Sequence, residues 1–197
     1  LLEGQSPQDL DFATSVLPSR TREILATVPN AGLYDIGEKF GTIGVVMQDL
    51  DGSHVPVEIT TFRSEQYTPG SRHPEVELGH TIEEDLARRD VTVNAIAVDV
   101  ETGKVIDPFY GQADLATGTL RAVGDADERF SEDPLRLLRV ARFVSQLGFA
   151  VEAETQAAMT RQAETLRTIS KERVYAELVK LLCGDYAGHG LDVLLET

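Results

Sequence analysis

The sequence predicts an α+β chain, a mixed sheet with helices followed by an all-helical part. Three observations carry this. Up to about residue 127, β-rich runs recur between helical ones. Turn-like stretches such as "GQSPQ", "DLDGS" and "ETG" punctuate them. From about residue 128, apolar residues return at helical spacing to the end.

Taken in order, "DLDFATS" alternates and reads as a short strand, and "PSRTREILATV" has helical spacing. "TIGVVMQ" and "HVPVEITTFR" are β-rich runs joined by "DLDGS", which makes a βαβ-like start with a hairpin. Residues 64–80 carry prolines and glycines without periodicity and predict a mobile surface loop. "TIEEDLARRD" predicts a helix capped by Thr81, with acids first and arginines last, as the helix dipole favours. "AIAVDV" and "KVIDP" flank "ETG" as a second hairpin, and "ADLATGTLRAVG" is a short helix leading into a last strand. In the helical part Leu135, Leu138, Ala141 and Val144 share one face, and Gly148 before Phe149 ends that helix. Helices near 153–167 and from about 171 follow; in the latter Val174, Leu178 and Leu181 form the core stripe, and the charges read as a solvated face.

The chain has 197 residues, enough for one domain and part of a second. Its one cysteine, Cys183, excludes an internal disulfide. No apolar run approaches the length needed to cross a bilayer, so the expectation is a soluble protein of a reducing compartment, the cytoplasm, with no membrane partner. A net charge of −15 repels a polyanion at long range. The charge is uneven: residues 1–120 hold 8 basic and 20 acidic side chains, and residues 121–197 hold 10 and 13, so contact with phosphate is expected in the second part. Composition carries no signal of oligomeric state.

Several residues could carry chemistry. Asp9 and Asp11, one residue apart on a strand, point their carboxylates to one face, while Leu10 and Phe12 point to the other. Such a pair can bridge divalent cations for phosphoryl transfer, or can simply be solvated. Glu58 is out of phase with Val57 and Ile59, so it either adds a third carboxylate or faces solvent on an edge strand beside Pro56. Arg88 and Arg89 suit a helix C-terminus, whereas Asp90 and Asn94 beside apolar valines suit a ribose or a buried turn.

Asp133 before Pro134 reads as an N-cap with proline at the first helical position. With Arg136 it also forms a template for one edge of a base: the carboxylate accepts from an exocyclic amine, and the guanidinium donates to a ring nitrogen. Cytosine and adenine offer that pattern. Uracil and guanine present the reverse and would leave polar groups unpaired, at about 1–3 kcal/mol each. Arg139 and Arg142 continue the basic side of this helix, as a solvated face or as further contacts to the same partner.

These residues lie within a longer set of motifs. "DLDFAT", "FGTIGVV", "VEITTFR", "RRDVTVNAIA", "DPFYGQADL", "LRAVGD", "RFSEDPLRLLRVARFVSQLGF" and "KERVYAELVKLL", in this order, resemble the bacterial class II tRNA nucleotidyltransferases, the CCA-adding enzymes. The resemblance implies a polymerase β-like nucleotidyltransferase head over residues 1–127 and a helical neck over residues 128–197. It implies Mg2+ on Asp9 and Asp11, with Glu58 on the strand facing the metal. It places Arg88, Arg89, Asp90 and Asn94 at the nucleotide sugar and makes Asp133 with Arg136 the template for CTP or ATP, with Arg139 and Arg142 beside it. The reaction it implies is attack by the 3′-hydroxyl of tRNA on the α-phosphate, releasing pyrophosphate. Residues 64–80 fall where the family has a flexible loop linked to adding the final A.

The departures bear on this expectation. The family's N-terminal glycine-rich motif is not in the sequence, "LLEG" resembling only its tail, and the chain stops within the neck. Val91 stands where the family usually has phenylalanine. The alternatives are a CC-adding or A-adding relative, a bacterial poly(A) polymerase, or a non-catalytic remnant that binds nucleotide.

Overall fold

The structure is a computed structural model that describes residues 10–29, 31–37, 41–48, 52–66, 75–78 and 81–197. Two compact units divide the chain between Asp85 and Leu86. Asp9 lies outside the described residues, as do 67–74 and 79–80 of the expected loop.

The first unit is built on a four-stranded sheet. Its strands are β1 (Leu10–Thr14), β2 (Gly32–Gly37), β3 (Thr42–Gln48) and β4 (His54–Thr61), in the order β1-β4-β3-β2. β1 runs parallel to β4, and the β2–β3 and β3–β4 pairs are antiparallel. Helix α1 (Pro18–Leu25) starts on proline at its first turn, where the missing N–H costs nothing. Its Leu25 packs with Ile43, Val45 and Val57 in a core that Leu33, Val55 and Ile59 extend. Alternation along β3 and β4 thus sends the odd-numbered residues to the helix-covered face and the even-numbered ones to the other.

Two features differ from expectation here. β2, with its glycines and an aspartate, shows no alternation and owes its place to pairing with β3. The expected loop over 64–80 is bounded by strands, because β5 (Arg63–Gln66) and β6 (Glu75–Leu78) pair as an antiparallel hairpin. The β3–β4 hairpin and the Thr81 cap are as expected, with the Glu84 N–H 3.3 Å from the Thr81 hydroxyl. That cap opens α2 (Ile82–Ala87).

The second unit begins with a 3₁₀ turn, Thr92–Asn94, and the hairpin β7 (Ala97–Val98) and β8 (Val105–Ile106). Next come α3 (Gly111–Thr117), β9 (Thr119–Leu120), α4 (Ala126–Glu132) and α5 (Leu135–Leu147). β10 (Ala150–Val151), α6 (Ala153–Gln162), α7 (Lys171–Leu182) and α8 (Ala187–Glu196) complete it. β10 corrects the expectation of helix alone after residue 128: it pairs in parallel with β9. Gly148 ends α5 in the left-handed conformation, with φ 70°. Compactness and composition draw different lines. Val91, Leu120 and Ala122 share one core with Phe130, Val140 and Met159, so residues from Leu86 onward pack with the helices.

Tyr110 precedes α3 with φ 61° and ψ 29°, a left-handed conformation that a bulky side chain adopts at a cost. Its side chain is largely exposed. The turn is imposed from both sides. Asp107 accepts the Gly111 and Gln112 N–H groups at 2.7 and 2.9 Å, and a Cβ on Gly111 would lie 2.2 Å from the Thr92 carbonyl oxygen. Tyr110→Asn is expected to raise stability by about 0.5–1 kcal/mol, since asparagine tolerates this conformation. The urea midpoint at unchanged slope reads it.

Candidate active site

In the first unit, Asp11 is the register partner of Glu58 across the parallel β1–β4 pair. Register partners on neighbouring strands point to the same face, with strands about 5 Å apart, so the two carboxylates can meet at one cation. Across the other edge of β4 the register partner of Glu58 is Gly44, which adds no polar group of its own to that face. Thr42 and Thr60 follow on the same face, their hydroxyls 2.9 Å apart. This polar face is opposite the one that carries Ile43, Val45 and Val57. β4 is an inner strand, paired on both sides, which corrects the reading of Glu58 as an edge residue. Hard carboxylate oxygens on one strand pair suit Mg2+. Among the described residues no group of three acids, histidines or cysteines forms a metal site by itself.

In the second unit the predicted residues are tied to one another and to the fold. Asp90 is buried and fully engaged. Its Oδ1 accepts from the Val91 N–H at 2.9 Å and the Asn94 amide at 3.1 Å, and its Oδ2 accepts from Arg139 Nε at 2.7 Å and Nη2 at 2.6 Å. Burial pushes this carboxyl up, but the Arg139 charge and the hydrogen bonds from Asn94, Arg139 and Val91 outweigh it and hold the group below the usual 3.8. Asp90, Asn94 and Arg139 are therefore one cluster, which ties the 3₁₀ turn to α5. Arg88 and Arg89 are half-buried just before it.

Asp133 caps α5 as expected, one residue out of phase: its Oδ1 accepts the Leu135 N–H at 3.1 Å while the residue itself ends α4. Arg136 is buried, and its guanidinium donates to the Arg129 carbonyl at 2.9 Å, to the Glu132 carboxylate, and to the Arg88 carbonyl at 3.0 Å. Three oxygens from three places fix its plane. Sequence reading missed Glu132, although its spacing of four from Arg136 on a helical path is a recognised signal.

Arg142 corrects the solvated-face reading. It is buried between α5 and α7, 3.2 Å from the Glu177 carboxylate, and its guanidinium lies 4.3 Å from the centre of the Phe143 ring. Burial pushes the guanidinium below its ordinary value, against the Glu177 charge, which raises it. On α7, Glu177 also leaves the expected solvated set, whereas Arg173 stays exposed. Glu177 is buried, and Arg173 pairs with Asp133 at 2.7 Å.

Comparison with known proteins bears on the fold and the family. Residues 1–121 match the family model described as the poly A polymerase head domain, and residues 148–197 match one described as a probable RNA and SrmB-binding site of polymerase A. The chain is 44% identical to the CCA-adding enzyme of Geobacillus thermodenitrificans, over 100% of its own length and 46% of the relative's. It is 42% identical to that of Lactococcus lactis, over 100% of its length and 47% of the relative's. The chain thus spans less than half the length of the curated relatives it matches. Among solved structures, the Bacillus stearothermophilus CCA-adding enzyme in complex with CTP superposes with a TM-score of 0.82 at 42% identity, over 98% of this chain and 44% of that one. A tRNA nucleotidyltransferase complexed with a primer tRNA and an incoming ATP analog gives 0.77 at 26%, over 98% and 53%. With a head-domain match over more than half its length and relatives of this identity along all of it, the chain belongs to the bacterial class II CCA-adding tRNA nucleotidyltransferases.

Proposed function

We propose that this chain is the nucleotide-selecting and catalytic part of an enzyme that adds C and A to the 3′ end of tRNA from CTP and ATP, without a nucleic-acid template and with release of pyrophosphate. Residues 1–127 act as the head and 128–197 as the neck, in the cytoplasm, to which a single cysteine and no disulfide are suited. The observation that carries the reading is the in-register pairing of Asp11 with Glu58 on the polar face of the sheet. Enzymes of this family use a divalent metal. Mg2+ held by Asp9, Asp11 and Glu58 would supply charge stabilisation for attack on the α-phosphate and for the departing pyrophosphate. The carboxylates themselves would orient the 3′-hydroxyl for in-line attack.

Base choice falls to Asp133 and Arg136. Asp133 accepts from the N4 amine of cytosine or the N6 amine of adenine, and Arg136 donates to N3 or N1. The contacts that lock the Arg136 guanidinium reduce the ordering cost of meeting the base. Arg88, Arg89, Asp90 and Asn94 form the sugar-side wall, and Asp90 acts there through the position it gives Arg139 and Asn94. Arg142 supports this helix from the side of α7. The head segment is strongly acidic in composition, so the tRNA is held chiefly from the neck side, in keeping with the match over residues 148–197.

The test is extension of a tRNA lacking its 3′ end by the full-length protein carrying this chain, with each of the four nucleoside triphosphates and Mg2+. Incorporation of C and A with rejection of U and G is expected. The head-domain match to poly A polymerases favours one second reading, and long A tracts without C would establish it instead. No incorporation at all would leave the remnant reading.

A further inference from the structure

The carboxylate of Asp133 has a partner at each oxygen, and the partners lie on different elements. Oδ1 accepts the Leu135 N–H at 3.1 Å, and Oδ2 accepts from Arg173 Nη2 at 2.7 Å. Arg173 comes from the first turn of α7, forty residues away. The cap alone anchors one oxygen and leaves the carboxylate plane free to turn about it. The second contact fixes that plane. As a stability device the pair is poor, because the two side chains are 51% and 27% exposed and solvent screens them. As an orienting device it is well placed: each carboxylate oxygen accepts two hydrogen bonds, so a base amine can join beside the existing partner.

We infer that Arg173 is a positioning residue for base selection, fixing the plane in which Asp133 meets the exocyclic amine of cytosine or adenine. This rests on the assignment of Asp133 to the base edge. Arg136 has its own supports in Arg129, Glu132 and Arg88, so the acceptor half of the template is held from α7 and the donor half from α4 and the segment before the 3₁₀ turn. The two halves are therefore separable by mutation.

The experiment compares Arg173→Ala, Arg173→Lys, Asp133→Ala and the Asp133→Ala/Arg173→Ala double variant in the full-length protein. It reads kcat/KM for CTP against UTP, with melting temperature measured alongside. Arg173→Ala is expected to lower the CTP preference about tenfold, the value of one oriented charge-assisted contact. The melting temperature should move by no more than about 3 °C. Arg173→Lys, which keeps a charged donor, should recover part of the preference, and Arg173→Ala should add nothing once Asp133 is gone. If Arg173→Ala slows both nucleotides equally, or lowers the melting temperature without changing their ratio, its role is structural and the inference is overturned. If Asp133→Ala itself leaves the ratio intact, the base-edge assignment fails. If Asp133→Ala collapses the ratio and Arg173→Ala does not, only the positioning role fails.

Discussion

Asp11→Ala in the full-length protein is expected to reduce nucleotide incorporation by about three orders of magnitude or more, roughly 4 kcal/mol in the barrier, while leaving the fold intact. The two halves of this expectation have separate physical grounds. Asp11 is exposed on β1, so its side chain supports no packing, and an exposed substitution of this kind changes stability by about 0.5 kcal/mol or less. The backbone ladder to β4 does not depend on the side chain. On the proposed metal assignment the loss is large because the register gives Asp11 only Glu58 and Gly44 as neighbours on its row, with no further acid there among the described residues to replace it. Asp11→Asn should lose nearly as much, since the amide keeps the shape and loses the charge. Single-turnover incorporation at saturating CTP and Mg2+, with thermal melts in parallel, reads both halves. Near wild-type turnover in either variant would remove Asp11 from the site.

Much of this site could be read before the fold was known, for local reasons. The Asp11 side-chain direction follows from strand alternation, and the Asp133 cap follows from an acid before proline at a helix start. The β3–β4 hairpin and the apolar stripe of α5 come from periodicity within a single element. The features that escaped reading are tertiary. β2 lacks any alternation and exists because β3 offers it an edge. β5 and β6 sit at the ends of a stretch rich in proline and glycine, where pairing across the gap is invisible locally. The burial of Arg142 and Glu177 is of the same kind: each looks like an exposed helical charge, and only the packing of α5 against α7 brings residues 35 apart in sequence together. Arg173 had no local signal either, as its partner lies on a different helix.

Arg139→Met is expected to cost about 3 kcal/mol of stability at pH 7, because it removes the charge opposite a buried carboxylate and leaves Asp90 with only two of its donors. The methionine keeps most of the apolar volume beside Phe143, so the loss reports the ion pair and not a cavity. The sign with pH follows from the lowered carboxyl of Asp90. A carboxyl whose folded value lies below its unfolded 3.8 contributes stability that is complete above that value and is lost as pH falls through the folded one. Without the Arg139 charge, burial raises the Asp90 carboxyl in Arg139→Met, so the variant takes up this proton at a higher pH than wild type, and the gap between them should be full at neutral pH and narrow as pH falls. Urea titrations at pH 7 and at pH 3 test this, and a gap that stays constant across that window would show that Arg139 stabilises by packing. The same variant separates fold from selection: if Arg139 acts only through Asp90, Asp90→Asn combined with Arg139→Met should cost little more than Arg139→Met alone, since the neutral amide no longer needs the lost charge.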